Sequence, residues 1–120
     1  MNRKKILVCD DDPGILEMLE LILEETGHII IPEQNSLNVK TLIEKENPDL
    51  LLLDLWMPVI SGDQILIALR SNPQTSTIPV IIFSASKDGA EIAKKSGANA
   101  FVAKPFDIDE LFSTINTCFS

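Results

Sequence analysis

The stretch PDLLLLDLWMP, residues 48–58, decides the fold, because four leucines run without interruption into an aspartate. A continuous apolar run of this kind is typical of a strand that is buried on both faces of a parallel sheet. A carboxylate that directly follows such a strand is costly to bury unless a metal ion or hydrogen-bond donors compensate it. We therefore predict that Asp54 is a functional carboxylate at the carboxyl end of a buried strand.

Four further apolar runs resemble this one, and helical patterns lie between them. The runs are ILVC (6–9), IIIP (29–32), VIIF (80–83) and AFVA (100–103). The helical patterns span residues 13–26, 37–46, 63–71, 88–96 and 107–118. Strands that alternate with helices at this spacing predict parallel strands joined by right-handed crossovers. The whole chain, residues 1–120, is therefore expected to be one α/β domain, with a doubly wound five-stranded sheet flanked by helices on both faces.

Details of three helices are also predicted. Asp12 suits the N-cap of the first helix and Pro13 its first position, and an apolar stripe of Ile15, Met18, Leu19 and Ile22 is expected to face the core. Ser36 is expected to cap the second helix. The segment 88–96 is the weakest helical pattern, because it is short and has a glycine in its first turn.

Polar residues end four of the five predicted strands. Asp10, Asp11 and Asp12 follow the first, Asp54 ends the third, and Ser84 and Lys104 end the fourth and fifth. Each has an ordinary explanation alone: a solvated loop with a helix cap, a turn hydroxyl, or a lysine at a strand end. In a parallel sheet, however, all of them reach one crevice, where ligands bind. Carboxylates suit Mg²⁺, and a nucleophilic carboxylate with a hydroxyl and an ammonium suits phosphoryl transfer.

Four stretches together resemble the receiver domain of two-component response regulators, a fold shared with the single-domain chemotaxis regulator. They are KILVCDDDP, PDLLLLDLWMPVISG, IPVIIFSAS and GANAFVAKPF, in the right order over nearly the whole chain. The resemblance implies the flavodoxin-like strand order 2-1-3-4-5 and a cis bond between Lys104 and Pro105. It also implies a protein that is not an enzyme beyond its own phosphorylation and slow dephosphorylation.

The resemblance also assigns roles to individual residues. Asp54 is implied to be the phosphoacceptor, with Ser84 and Lys104 contacting the phosphoryl group. Mg²⁺ (or Mn²⁺) is implied to be held by Asp11, Asp54 and the carbonyl of Trp56, with Asp10 acting through water. Ser84 and Phe101 are implied to form the conformational switch. Gly62 matches the glycine that follows the loop after the third strand.

Two departures from the family pattern affect the expected output. Ser84 and Gly97 are only thirteen residues apart, which is short for this family and indicates a shortened fourth helix. Phe101 has no hydroxyl, so it cannot form a hydrogen bond when it turns inward. A haloacid-dehalogenase-like phosphohydrolase and a pseudo-receiver binding module are alternatives. The first would need an aspartate where Trp56 lies, and the second should lack part of the acidic set.

The composition limits which binding partners and which cellular compartment are expected. A net charge of −8 argues against direct binding to nucleic acid or to anionic membranes. No CxxC pair is present, so we expect Cys9 and Cys118 to be buried free thiols. No segment has the length of a membrane span or a signal peptide, and a cytoplasmic protein is expected. The family implies a sensor histidine kinase or a histidine phosphotransfer protein upstream and an effector protein or domain downstream.

Overall fold

The core of the molecule is a five-stranded parallel sheet. The computed structural model describes residues 3–120. The strands are β1 (Lys5–Cys9), β2 (Ile29–Glu33), β3 (Leu50–Asp54), β4 (Val80–Ser84) and β5 (Ala100–Ala103). They lie in the order β2-β1-β3-β4-β5, as predicted, and every neighbouring pair is parallel. Cys9 pairs with Leu53, and Asp54 pairs with Phe83, so the carboxyl ends of β1, β3 and β4 are adjacent.

Helices cover both faces of the sheet. They are α1 (Pro13–Glu24), α2 (Val39–Glu46), α3 (Gly62–Ser71), α4 (Gly89–Ser96) and α5 (Ile108–Phe119). Alternate strand residues point to opposite faces, so β1 contributes Leu7 to the core under α2, α3 and α4, and Ile6 to the core under α1 and α5. All five residues of β3 are buried, as expected for a strand covered on both faces.

The first helix begins as predicted but buries a different stripe. The side chain of Asp12 accepts from the backbone N–H groups of Gly14 and Ile15, and Pro13 is the first helical residue. The fully enclosed residues of α1 are Leu16, Leu19 and Leu23. The predicted stripe was wrong at Met18, which is 40 % exposed. Leu19 is buried as predicted, and Ile15 and Ile22 are only half-buried. Both stripes fit a helical period and share Leu19, so spacing alone could not separate them.

Ser36 does not cap the second helix, so that prediction was wrong. The side chain of Asn35 instead accepts from the N–H of Leu37 and begins a 3₁₀ turn, and α2 follows from Val39. The buried hydroxyl of Ser36 donates to the carbonyl oxygen of Pro58 at 2.9 Å. Asparagine and serine are both good N-caps, and the long-range contact with the loop after β3 decides between them.

The expected short fourth helix and the free thiols are present. With eight residues each, α4 and α2 are the shortest α-helices in the described chain, and Gly97 caps the C-terminus of α4 in a left-handed conformation (φ 97°). Cys9 is buried, whereas Cys118 is only half-buried; neither forms a disulfide within residues 3–120. In the same part of the chain, no helix combines the length and the apolarity needed to cross a membrane.

Candidate functional site

The structure brings three of the predicted carboxylates together at the carboxyl edge of the sheet. Asp10 and Asp54 are buried at the ends of the adjacent strands β1 and β3. Asp11 lies in the loop after β1, and its side chain is partly exposed. One oxygen from each of the three lies within 4.8 Å of the other two. Asp12 is not part of this cluster, because its carboxylate caps α1.

Lys104, which follows β5, reaches across the sheet edge to the carboxylates. Its Nζ lies 3.0 Å from Oδ2 of Asp10 and 3.2 Å from Oδ1 of Asp54. The same ammonium lies 4.9 Å from the centre of the Phe83 ring. Burial lowers the pKa of Lys104, but the hydrogen bond to Asp10 and the charges of Asp54 and Asp10 outweigh it, so the pKa is raised overall. Lys104 is therefore a fixed cation inside the site.

The environment of Asp54 disfavours its charged form. Burial and the charge of Asp10 raise its pKa, Lys104 lowers it, and the result is a pKa of about 6 instead of 3.8. Three carboxylates beside one ammonium leave an excess of negative charge in the site. Carboxylate oxygens are the ligands that Mg²⁺ prefers, and a divalent cation would remove this repulsion. The donor set therefore fits the expected metal ion.

Ser84 lies at the end of β4, and its side chain bonds to Ser86, which in turn bonds to Trp56. Its side chain is buried, and its Oγ accepts from the N–H of Ser86 at 3.0 Å. The two serine hydroxyl oxygens are also 3.0 Å apart. The indole N–H of Trp56 donates to Oγ of Ser86 at 3.1 Å. Sequence reasoning missed Ser86; the only signal was a second hydroxyl two residues after Ser84.

Phe101 contacts the start of α4. The ring is half-buried and packs against the core under α2, α3 and α4. A Cβ added at Gly89 would lie 2.9 Å from the ring and 3.0 Å from Cβ of Ser84. The glycine that weakened the helical pattern therefore allows α4 to touch both predicted switch residues.

Two further expectations concern the loops around the site. The Lys104–Pro105 bond is cis, as expected. The N–H of Gly62 donates to the carbonyl oxygen of Leu55 at 2.8 Å, and a Cβ at Gly62 would overlap the carbonyl oxygen of Asp54. Only a glycine allows α3 to begin this close to the end of β3.

Comparison with known proteins identifies the family. Residues 6–116 match the model of the response regulator receiver domain. The chain belongs to this family. It is 34 % identical to Protein PilH of Pseudomonas aeruginosa over 93 % of this chain and 94 % of that protein. It is 32 % identical to sporulation initiation phosphotransferase F of Bacillus subtilis over 92 % of this chain and 90 % of that protein. The solved receiver domain of a Francisella response regulator superimposes with a TM-score of 0.88 at 34 % identity, covering 98 % and 97 % of the two chains.

Membership in this family answers the broad functional question. Receiver domains are signalling modules of two-component systems rather than classical enzymes, and they interact with histidine kinases and phosphotransfer proteins. The haloacid-dehalogenase alternative is therefore displaced, in agreement with Trp56 at the position where that class would need an acid.

Proposed function

We propose that residues 1–120 form one receiver domain in which Asp54 accepts a phosphoryl group from a phosphohistidine of a sensor kinase or phosphotransfer protein. The observation that supports this most strongly is the convergence of Asp54 with Asp10, Asp11 and Lys104 at one sheet edge. One matching relative is itself named a phosphotransferase, which agrees with a role in phosphoryl relay.

In the proposed reaction, an oxygen of Asp54 attacks the phosphorus atom of the donor. An aspartyl O–P bond forms and the P–N bond of the phosphohistidine breaks. The departing imidazole keeps the electron pair of that bond and takes up a proton. Because the pKa of Asp54 is about 6, the carboxylate is mostly ionised near pH 7 and can act as the nucleophile.

The surrounding residues stabilise charge on the transferred group. The Lys104 ammonium already contacts Asp54, so it can donate to a phosphoryl oxygen on that residue. The Ser84 hydroxyl would donate to another phosphoryl oxygen. Mg²⁺ (or Mn²⁺), held by Asp11 and Asp54, by the carbonyl of Trp56 and by Asp10 through water, would neutralise charge on the transferred oxygens. The same groups would support only self-phosphorylation and slow dephosphorylation.

The protein that carries the phosphohistidine must bind next to the carboxylate cluster that contains Asp54. An apolar hollow of about 410 Å³ adjoins the site between α1 and the loops after β4 and β5. Lys104 lines both the hollow and the carboxylate cluster. The other lining residues are mainly apolar and include Ile15, Met18, Ile22, Phe106 and Ile108. We propose that the donor protein covers this hollow, because a protein surface that packs there lies beside Lys104, which contacts Asp54.

Intact mass spectrometry after treatment with acetyl phosphate tests the proposed chemistry. The wild-type mass should rise by one phosphoryl group with Mg²⁺ and stay unchanged with EDTA. Asp54→Asn should show no gain under either condition. A wild-type protein that gains nothing with Mg²⁺, or an equal gain in Asp54→Asn, would contradict the proposal.

A further inference from the structure

The hydrogen bonds of Ser84 continue into a chain that leaves the carboxylate cluster. Trp56 lies in the loop after β3, and Ser86 lies in the loop after β4. The Nε1 of Trp56 is 3.1 Å from Oγ of Ser86, which is 3.0 Å from Oγ of Ser84. These contacts join the loop after β3 to the loop after β4. None of the roles assigned to the metal or to Lys104 explains them.

The chemistry of the three groups limits how their protons can be arranged. An indole N–H can only donate, so Oγ of Ser86 must accept from Trp56. Oγ of Ser84 accepts from the N–H of Ser86. The proton between the two hydroxyls can then come from either serine. In one arrangement Ser84 donates to Ser86; in the other Ser86 donates to Ser84, and the proton of Ser84 becomes available to a third group.

We propose that Trp56 and Ser86 are positioning residues that direct the hydroxyl proton of Ser84 toward a phosphoryl group on Asp54. When that group arrives, both serine hydroxyls rotate. Ser86 then donates to Ser84, and Ser84 donates to a phosphoryl oxygen. The direction of donation runs from the indole through Ser86 and Ser84 to the phosphoryl group, and each bond in such a chain polarises the next.

This hydrogen-bond relay, formed by Trp56, Ser86 and Ser84, lets Ser84 gain a bond to the phosphoryl group without losing its contact with Ser86. Without the Ser86 hydroxyl, Ser84 would lose an acceptor before phosphorylation and a donor after it. Without the indole N–H, the hydroxyl of Ser86 would lose its donor and keep only its bond to Ser84. The loss after phosphorylation matters more, because the Ser84 hydroxyl then donates to a charged phosphoryl oxygen and is polarised by it. Removing either group should therefore weaken binding of a phosphoryl mimic.

The inference rests on the proposed function, and calorimetric titration with beryllofluoride in the presence of Mg²⁺ tests both separately. Ser86→Ala and Trp56→Phe should each bind about two- to tenfold more weakly than the wild type, which corresponds to one net hydrogen bond. Ser86→Thr keeps the hydroxyl and should bind within about twofold of the wild type by the same reasoning. Ser113→Ala, at an exposed position on α5, controls for loss of a serine hydroxyl elsewhere.

The same titration in a Ser84→Ala background separates a relay from a structural effect. There Ser86→Ala and Trp56→Phe should weaken binding no further, because the relay has no end group. Unchanged or tighter binding by Ser86→Ala in the otherwise wild-type protein, or an equal loss in both backgrounds, would overturn the relay. Failure of the wild type to bind beryllofluoride would instead contradict the proposed function.

Discussion

Replacing Asp54 with asparagine should stabilise the metal-free protein, although it removes the proposed reactive group. Asp54 is only 5 % exposed, and burial and the charge of Asp10 raise its pKa from 3.8 to about 6. Each pKa unit corresponds to about 1.36 kcal/mol of preference for the neutral form in the fold. The ionised carboxylate therefore destabilises the fold by at most about 3 kcal/mol. We expect asparagine, which mimics the neutral acid, to raise the free energy of unfolding by about 1–3 kcal/mol at pH 7.

The pH dependence has a definite sign. Because the folded pKa lies above the unfolded one, ionised Asp54 lowers stability above pH 6 and has no such effect below pH 3.8. The gain from Asp54→Asn should therefore be full above pH 6 and disappear as the pH falls through the interval between the two pKa values. For a domain of this size, it corresponds to a rise in Tm of roughly 4–15 °C.

Differential scanning calorimetry in EDTA, between pH 4 and 8, measures this gain. Asp88→Asn is a matched control, because Asp88 is exposed and its side chain does not bond to the start of α4. Its Tm should change little at any pH. An Asp54→Asn protein that is no more stable than the wild type at pH 7.5, or that keeps its full gain at pH 4, would refute this account of the site's electrostatics.

Four other outcomes are expected. Mg²⁺ at tenfold its dissociation constant should stabilise the wild type by about 1.4 kcal/mol, and an equal rise in Tm for Asp11→Ala would show that the ion binds elsewhere. The fluorescence emission of Trp56, the sole tryptophan, should change when beryllofluoride binds, because the indole N–H contacts Ser86. Binding that calorimetry confirms but that leaves the emission unchanged would contradict this contact. Amide exchange on beryllofluoride binding should change most across 84–104, and Ser84→Ala should reduce the response. Gly89→Ala should alter exchange there even without ligand, because the added Cβ would overlap the Phe101 ring. Unchanged exchange would show that α4 does not contact Phe101.

Much of the fold could be predicted because buried parallel strands leave a simple pattern. Each apolar run became a strand within one residue of its expected ends, and the polar residues after four of the runs marked the sheet edge. Errors arose where two local solutions were nearly equal. The stripe on α1 and the cap before α2 were decided by packing against the sheet and by a hydrogen bond to Pro58, which sequence spacing does not encode.

The candidate site was predictable in its residues but not in its contacts. Asp10, Asp11, Asp54 and Lys104 converge because parallel strands end at one edge. The two bonds of the Lys104 ammonium and the raised pKa of Asp54 depend on side-chain reach and burial, which the sequence leaves open. Ser86 was missed because a serine in a loop carries no distinct signal until Trp56 and Ser84 are seen on either side of it.

Locating the phosphoryl group by chemical reduction tests the central claim most directly. Borohydride converts an aspartyl phosphate to homoserine, which peptide mass spectrometry can place at a single residue. After treatment with acetyl phosphate and Mg²⁺, we expect homoserine at Asp54 in the peptide that contains Leu50–Asp54, and none when Mg²⁺ is replaced by EDTA. Homoserine at Asp10 or Asp11, or its absence from a protein whose intact mass shows phosphorylation, would contradict the assignment of Asp54 as the phosphoacceptor.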